Sequence, residues 1–434
     1  MKALSFLTLG LVGAIVAGSW AISGRFSWFG LAMIGILAAK SVLSWSHSDV
    51  DVTDAASRGV IEHSRLGVAI PMYNEDPALI ERTLESILVQ TRKPDSVVVV
   101  DDGSMDATAA ALVTAMIPRF TDAGIELQLV REDSNHGKRR AIVTALDAQA
   151  ATDILLSLDS DTVLAPDAIE HGLAPFADSA VQASTGMVLP LNYRTNLFTR
   201  LMDVRYANAF LFERSAYSRL GSVLCVCGAL AFYRVSLLSK YREDFLGQTF
   251  LGKPAEFGDD RRLTNYALTE GTVRFQAHSV AYTAVPERLG HYIRQQIRWN
   301  KSYFRETLWA LANLPVSRPA FWLTFIELAS WLLFSLLLAY ALVMAPVLTG
   351  SILIGPYLIY TVLLAYARSA RYFEVTGIRR PASDVAIGYL LAPLYGLMHL
   401  CLLIWLRFYA LLTLRRGSWG TRRKVEVAVA GRPS

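Results

Sequence analysis

The chain is poor in cysteine and in charged residues. Only three of its 434 residues are cysteines, Cys225, Cys227 and Cys401. These are too few and too unevenly spaced for a disulfide framework or a four-ligand zinc site, and they fit a reducing, cytosolic compartment. Charged residues make up 18% of the chain and apolar residues 53%. This composition is not that of an ordinary soluble domain.

Charge is nearly absent from two runs at the start of the chain. Ala3–Ile22 carries no charged residue, and a second apolar run, Trp28–Leu43, follows closely. The first run is long enough for a helix to cross a hydrocarbon core of roughly 30 Å. We interpret the two runs as a transmembrane helical hairpin. A cleaved signal peptide after Lys2 is the alternative for the first run.

Apolar runs return at the other end of the chain. Phe321–Ala345 and Ser351–Ala367 predict two membrane spans, and Val385–Leu414 is a longer stretch interrupted by Pro393. Glu327 is the acid inside the first of these spans. It lies either near the lipid headgroups or along a polar translocation path.

The net charge of +5 is concentrated in arginines beside these runs, at positions 368–380 and 415–424. Such residues are expected on the cytosolic side of a membrane, which places the central domain there too. A single pass through the last stretch would carry the basic tail outside. We therefore expect that stretch to be re-entrant or interfacial, or to hold two short passes. The chain carries no nucleic-acid-binding motif to offer another explanation of its charge.

The middle of the chain has the pattern of an α/β domain. A buried strand at Leu66–Pro71, a helix at Pro77–Gln90 and a second strand at Ser96–Val100 predict a parallel sheet. A further strand is predicted at Ile154–Leu158. Acids follow two of the strands, at the edge of the sheet where such folds bind ligands. They are Asp101, Asp102, Asp159 and Asp161.

Asp159 and Asp161 stand two residues apart, directly after a predicted strand. Carboxylates so spaced can both reach a divalent cation beside a diphosphate, whereas the alternative is a solvated turn. We predict a metal site for Mg²⁺ or Mn²⁺, since oxygen ligands accept both ions.

The segment Asn135–Arg140 carries Lys138 and Arg139 just before a helical pattern. Backbone amides at a helix start, together with cations, favour phosphate contact, chiefly through Lys138. A basic surface turn is the alternative.

A paired carboxylate, Asp259 and Asp260, lies between Gly258 and Arg261. Transfer of a sugar to a hydroxyl needs a carboxylate to accept the hydroxyl proton. We predict Asp260 for this role, with Asp259 as the alternative.

Farther along, Gln295, Arg298 and Trp299 form a Gln-x-x-Arg-Trp pattern. Trp299 can stack on a sugar ring, and Arg298 can face a leaving diphosphate. The pattern also fits an amphipathic interfacial helix over His291–Ala310, and both interpretations can hold together.

In this order the motifs resemble those of the family 2 glycosyltransferases of GT-A fold, the group that holds the cellulose, chitin and hyaluronan synthases. The resemblance covers nearly the whole chain and is closest to the bacterial, class I hyaluronan synthases. The motifs that carry it are Tyr73-Asn74-Glu75, Asp101-Asp102-Gly103, Gly137-Lys138-Arg139, Asp159-Ser160-Asp161, Met202-Asp203-Val204-Arg205-Tyr206, Gly258-Asp259-Asp260-Arg261, Gln295-x-x-Arg298-Trp299 and Trp419-Gly420-Thr421-Arg422.

The resemblance implies a role for each motif. Tyr73 would stack on uracil, and Glu75 and Asp102, with Asp101 beside it, would hold the uridine. Lys138 and Arg139 would approach the diphosphate, Asp161 with Asp159 would bind the metal, and Asp260 would be the base. The acceptor and diphosphate collar would comprise Gln295, Arg298 and Trp299. Trp419 and Arg422 would belong to a loop that closes over bound nucleotide.

One motif departs from the hyaluronan synthase pattern. Where those enzymes typically have Cys-Ser-Gly-Pro in the loop that cradles the acceptor sugar, this chain has Val226-Cys227-Gly228-Ala229. Its Cys227-Gly228 is more similar to the nodulation-type chitin oligosaccharide synthases.

The activity implied is processive, inverting transfer from UDP-N-acetylglucosamine and UDP-glucuronate to a growing hyaluronan chain, which the same polypeptide exports. Synthesis of chitin oligosaccharide or another β-linked polymer is the first alternative, and a catalytically silent membrane scaffold or glycan channel is the second. Membrane lipids are expected partners, and the protein is expected to act as a monomer in the plasma (inner) membrane. The predicted regions are a hairpin at 1–48, a cytosolic GT-A domain at 49–288, interfacial helices at 289–318, a transmembrane or re-entrant region at 319–414, and a basic loop and tail at 415–434.

Overall fold

The computed structural model describes residues 28–149, 151–255, 257–350, 354–378 and 380–415, together with a few positions before residue 18. The predicted first span, Ala3–Ile22, lies almost wholly outside the described residues. The predicted closing loop with Trp419 and Arg422 lies outside them as well.

The centre of the molecule is a mixed sheet of eight strands in the order β3-β2-β1-β4-β7-β6-β10-β5, beside a small hairpin of β8 and β9. The strands are β1 Leu66–Met72, β2 Ser96–Asp101, β3 Glu126–Arg131, β4 Ile154–Ser157, β5 Thr162–Leu164, β6 Val181–Pro190, β7 Ala231–Arg234, β8 Thr249–Phe250, β9 Lys253–Pro254 and β10 Thr272–Thr283.

Three strands of this sheet, β1, β2 and β4, lie where the sequence predicted them and are parallel, whereas β3 was not predicted. β1 pairs in parallel with both β2 and β4, and β2 pairs in parallel with β3. The four valines 97–100 of β2 are fully buried, because helices cover both faces of the sheet. The register places Met72 opposite Asp101. The acids that follow β2 and β4 therefore reach the same edge.

Helices cover the sheet and extend beyond it. They are α1 Trp28–Trp45, α2 Ala55–His63, α3 Pro77–Leu88, α4 Thr108–Asp122, α5 Lys138–Asp147, α6 Ala168–Leu173, α7 Leu197–Ala207, α8 Ser215–Ser218, α9 Val235–Lys240, α10 Arg242–Leu246, α11 Asp259–Glu270, α12 Leu289–Asn313, α13 Pro319–Ala339, α14 Ala345–Thr349, α15 Ile354–Arg368, α16 Ala382–Met398 and α17 Ile404–Leu412. Short π-helical segments with wider turns join neighbouring α-helices at Asn208–Arg214, Tyr340–Met344 and His399–Leu403. The tighter 3₁₀-helical segments are Ala174–Ala177 and Ser369–Ile378.

Two helices in the described part of the chain are long and apolar enough to cross a membrane, Pro319–Leu348 and Ala382–Leu412. The expectation of two short passes in the last stretch is wrong, because Ala382–Leu412 is one continuous helix of 31 residues. Pro393 lies inside it and the wider turn His399–Leu403 follows. A helix can absorb both features without ending.

Polar contacts connect the apolar helices to the α/β domain. Glu327 on α13 accepts hydrogen bonds from Lys40 on α1 and from Tyr217 on α8. Just beyond α1, Asp49 accepts from the backbone amides of Ala277 and His278 on β10, each at 2.8 Å. The end of α1 is therefore held against the outer part of the sheet.

Candidate active site

Acids from β2 and β4 meet at one edge of the sheet, as the sequence predicted. Asp102 follows β2 and accepts from the amides of His136 at 2.7 Å and Gly137 at 2.8 Å. These bonds fix the loop before α5. Burial raises the pKa of Asp102, and the two amides oppose that rise by stabilising the charged form.

Lys138, the first residue of α5, brings the separate motifs together. Its Nζ lies 2.6 Å from Asp159 Oδ1 and 3.6 Å from Asp259 Oδ2. Burial alone would lower the pKa of Lys138, but Asp159, Asp259 and Asp260 together raise it above its ordinary value. The ammonium is therefore charged at neutral pH and neutralises acids from two distant parts of the sequence.

The carboxylate of Asp260 lies on the first turn of α11. Its Oδ1 accepts from the amide of Arg261 at 2.8 Å, and the Cys225 thiol lies 3.7 Å from its Oδ2. Burial raises the pKa of Asp260, and neighbouring Asp259 raises it further, against the opposing charges of Arg261 and Lys138. A carboxyl with a raised pKa is a stronger base, which suits proton abstraction from a sugar hydroxyl.

Gly228 lies between these groups. A Cβ built on it would stand 3.1 Å from Lys138 Nζ and 3.8 Å from the Cβ of Asp260. The preceding residue, Cys227, is held by its amide, which donates to Thr185 Oγ1 at 3.2 Å. The Cys227-Gly228 loop thus covers the lysine and the acid pair closely, and only a residue without a side chain fits without displacing the lysine.

The residues predicted to hold the nucleotide line the same edge. Asp101 is fully buried, and its carboxylate accepts from Ser104 N at 3.0 Å and faces Arg131 Nε at 3.3 Å. Glu75 accepts from Ser160 Oγ at 2.6 Å, inside the Asp-Ser-Asp motif. Tyr73 is half-buried at the end of β1.

Arg139 points elsewhere. It is buried, and its guanidinium donates to the backbone carbonyls of Phe245 and Phe257 at 3.2 and 3.4 Å. In this arrangement Arg139 supports the segment before the acid pair, and Lys138 alone of the two faces the acids.

The acids after β4 fit a hard divalent cation. Asp161 Oδ1 is oriented by the hydroxyl of Thr283 on β10, at 3.2 Å. No cluster of three or more potential ligand side chains occurs in the described part of the chain. Mg²⁺ commonly binds through one or two carboxylates, with phosphate and water oxygens as its other ligands. Asp159 and Asp161 beside a diphosphate would match that ligand set.

The Gln-x-x-Arg-Trp pattern lies on α12, where Gln295 and Arg298 are half-buried and Trp299 is 36% exposed. Arg205 on α7 covers one side of the indole, with 5.2 Å between the guanidinium carbon and the ring centroid. The indole is therefore partly covered and partly open to solvent. No role was assigned to Arg205 from the sequence, because its motif does not show that Arg205 lies against Trp299 of α12.

The sequence also did not indicate a buried network of hydrogen bonds around Glu306. Glu306 on α12 is 1% exposed and accepts from Gln248 at 2.6 Å and from Arg262 at 2.7 Å. Gly258, with φ of 94°, precedes the acid pair, and a Cβ there would collide with Ser302. Together these contacts fix α12 against the start of α11. The sequence did not indicate that Arg262 and Glu306 pair, because no local pattern shows how α11 packs against α12.

Comparison with known proteins agrees with this geometry. The model of the family described as glycosyltransferase like family 2 matches residues 63–302. The chain is 35% identical over 401 residues to a hyaluronan synthase of Streptococcus pyogenes, covering 92% of this chain and 91% of that protein. It is also 34% identical over 357 residues to an N-acetylglucosaminyltransferase of Neorhizobium galegae, covering 82% of this chain and 79% of that protein.

Among solved structures, a mannosyltransferase of Pyrobaculum calidifontis in complex with GDP-mannose and Mn²⁺ has a similar fold. The TM-score is 0.53 at 19% identity, over 89% of this chain and 98% of that one. This likeness supports the GT-A fold that the motifs predicted. With a family model matching more than half of its length and curated relatives along nearly all of it, the chain belongs to the family 2 glycosyltransferases and is a glycosyltransferase enzyme.

Proposed function

We propose that this enzyme is processive and polymerises UDP-N-acetylglucosamine and UDP-glucuronate into hyaluronan, which it passes across the membrane. The observation that carries the chemistry is the contact of Lys138 with Asp159 and Asp259, directly beside Asp260. A cation that would meet the diphosphate and a carboxylate that would act as the base are thus neighbours, which supports the proposal. The choice of polymer rests on the 35% identity to the streptococcal hyaluronan synthase over nearly the whole chain.

In the proposed reaction an acceptor hydroxyl attacks the anomeric carbon of an α-linked UDP-sugar. Asp260 accepts the hydroxyl proton as the new carbon–oxygen bond forms, and the bond to UDP breaks on the opposite side. The product linkage is therefore β. Lys138 and Arg298 would offset the charge that develops on UDP, and such electrostatic stabilisation is usually a large part of catalysis.

Asp159 and Asp161 would hold Mg²⁺ or Mn²⁺, which when bound supplies further positive charge to the diphosphate. Tyr73, Glu75, Asp101 and Asp102 would hold the uridine. Trp299 would stack on the sugar at the end of the glycan, with Gln295 beside it.

We also propose the membrane arrangement that the sequence predicted. The GT-A domain, 49–288, would face the cytosol below a hairpin at 1–48 and the helices of 319–414. The interfacial helix within 289–318 would lie between them, and the basic segment 415–434 would return to the nucleotide. The candidate spans Pro319–Leu348 and Ala382–Leu412 support this arrangement of a multi-pass protein of the plasma membrane.

The test is UDP release by the purified protein with Mn²⁺ or Mg²⁺, given either donor alone or both. Sustained turnover only with both donors, and a product that hyaluronidase digests, would support hyaluronan synthesis. Asp260→Asn should abolish turnover, and retained activity in that variant would contradict its role as the base.

A second candidate is chitin oligosaccharide synthesis. The Cys227-Gly228-Ala229 loop and the 34% identity to the rhizobial N-acetylglucosaminyltransferase favour it. Sustained turnover with UDP-N-acetylglucosamine alone would select this function over the first.

A further inference from the structure

Arg205 is a half-buried cation in an aromatic surrounding. Its guanidinium carbon lies 5.2 Å from the ring centroid of Trp299, 5.9 Å from that of Tyr292 and 6.0 Å from that of Tyr206. It also has a hydrogen-bond contact with Tyr395. Among the residues that the structure describes, no carboxylate forms an ion pair with it. A partly desolvated charge of this kind is costly unless something pairs with it.

Next to Arg205 lies a donor without an acceptor. Gln296 is buried, with 5% of its surface exposed. Its side-chain oxygen accepts a hydrogen bond from Arg205 Nη2 at 3.2 Å. Within the described residues its side-chain nitrogen has no hydrogen-bond partner. A buried unpaired donor costs about 1–3 kcal/mol. The guanidinium and the amide together form a small cluster of donors that lacks an oxygen-rich partner.

This cluster adjoins the route of the glycan in the proposed function. Trp299 is 36% exposed and is the proposed sugar platform. The residue after Arg205, Tyr206, lies close enough to Cys227, Asp161 and Asp159 to be influenced by their charges. Neighbouring residues of α7 therefore lie beside the indole and within electrostatic reach of the acids.

We propose that Arg205 binds the carboxylate of a uronic-acid unit of the glycan while Trp299 stacks on the sugar ring, so that Arg205 selects a glucuronate-containing chain over a neutral one. A guanidinium can donate two parallel hydrogen bonds to a carboxylate. A neutral sugar would leave the cation without a counter-charge, which penalises a chain of N-acetylglucosamine alone. The inference rests on the proposed function and names the group in the substrate that this site recognises.

The test compares two ligands that differ only in charge, a labelled hyaluronan tetrasaccharide and its carboxyl-reduced form, in which glucose replaces glucuronate. Their affinities are measured by fluorescence anisotropy on the purified full chain and on Arg205→Gln and Arg205→Lys. Arg294→Gln is the matched control, because Arg294 is exposed on the same helix as Trp299. It removes one positive charge without touching the cluster.

The wild type and Arg294→Gln should bind the charged ligand about tenfold or more tightly than the reduced ligand, since a hydrogen bond to a charged group has about that effect. In Arg205→Gln the ratio should fall to about one, with affinity for the reduced ligand unchanged, and Arg205→Lys should keep part of the ratio. The unchanged affinity for the neutral ligand would also show that the variant is folded.

A preserved ratio in Arg205→Gln, or equal loss of affinity for both ligands, would overturn the inference, because the residue would then only support Trp299. Failure of the proposed function is a separate result, seen when the wild type does not consume UDP-glucuronate. If it does consume UDP-glucuronate and the ratio in Arg205→Gln is unchanged, only the role of Arg205 fails.

Discussion

Arg262 donates from Nε to Glu306 Oε2 across 2.7 Å, and both side chains are almost completely buried. Arg262 belongs to α11, which starts with the acid pair, and Glu306 belongs to α12, which carries Trp299. The pair therefore links the candidate base to the candidate sugar platform.

Removing one partner of this pair should destabilise the protein strongly. Glu306→Ala removes the nearer carboxylate of the buried Arg262 guanidinium and leaves Asp244 Oδ2, 3.6 Å from its Nη1. Breaking a buried ion pair costs about 3–5 kcal/mol, and Asp244 should keep the loss near the lower end of that range. We expect a clear drop in the thermal unfolding temperature of the detergent-solubilised protein. The double variant Arg262→Met with Glu306→Leu should recover part of that loss, because apolar residues of similar size leave no charge unpaired. Equal unfolding temperatures in wild type and Glu306→Ala would contradict this account.

Replacing Lys138 should weaken catalysis far more than folding. Lys138→Gln removes the cation that lies between Asp159 and Asp259. Loss of one preorganised electrostatic group typically lowers kcat about 10²–10³-fold. UDP release measures the effect. Arg140→Gln is the control, since Arg140 follows on the same helix and is exposed. Similar activities in the two variants would show that the charge of Lys138 is not used.

The pH dependence should report on Asp260. Its pKa is raised by burial and then by Asp259, and the base must be deprotonated, so activity should be lost on acidification at a higher pH than for an ordinary aspartate. Asp259→Asn removes the like charge and should shift this acidic limb to lower pH. The profile of kcat/KM for UDP release shows the shift. Exposed Asp122→Asn should leave the limb in place, and a limb that does not move in Asp259→Asn would argue against Asp260 as the titrating group.

Adding a methyl group to Gly228 should disturb the donor side of the reaction. The new Cβ would stand 3.1 Å from Lys138 Nζ, closer than most carbon contacts, so the lysine would have to shift from Asp159. We expect a several-fold rise in KM for the UDP-sugar with little change in unfolding temperature. Gly59→Ala is the control, because nothing lies within 4 Å of the added carbon there. Equal KM values in both variants would refute the contact.

Local sequence pattern was sufficient for the elements that carry the motifs. The strand at Leu66 and the valine strand at Ser96 begin where they were predicted, because buried parallel strands read as continuous apolar runs. Acids after such strands must reach the same edge of a sheet, so the placement of Asp102 and Asp159 at one edge was foreseeable.

What the sequence could not supply was the packing between distant helices. Arg139 matches its motif as well as Lys138 does, yet adjacent residues of a helix face different directions, and Arg139 meets backbone carbonyls. The contact of Arg205 with Trp299 joins residues almost one hundred positions apart, and no local pattern encodes it. For the last apolar stretch, the expectation of two short passes came from the basic tail, which a single span would carry outside. The continuous helix Ala382–Leu412 contradicts it, and Pro393 is accommodated within α16.

Helix α7, which presents Arg205, is held by polar contacts to the segment that leads into the long apolar helix Ala382–Leu412. Near its start Tyr193 and Arg200 donate to Asp384, at 2.7 and 3.3 Å, and within it Asp203 accepts from Arg380 at 3.0 Å. Asp384 belongs to the first turn of the long helix Ala382–Leu412. In the proposed function, the contact of Arg205 with the polymer is thus anchored to a helix that is proposed to span the membrane. Lipid thickness should consequently alter how long each chain is held, and so product length, more than the rate at which single sugars are added.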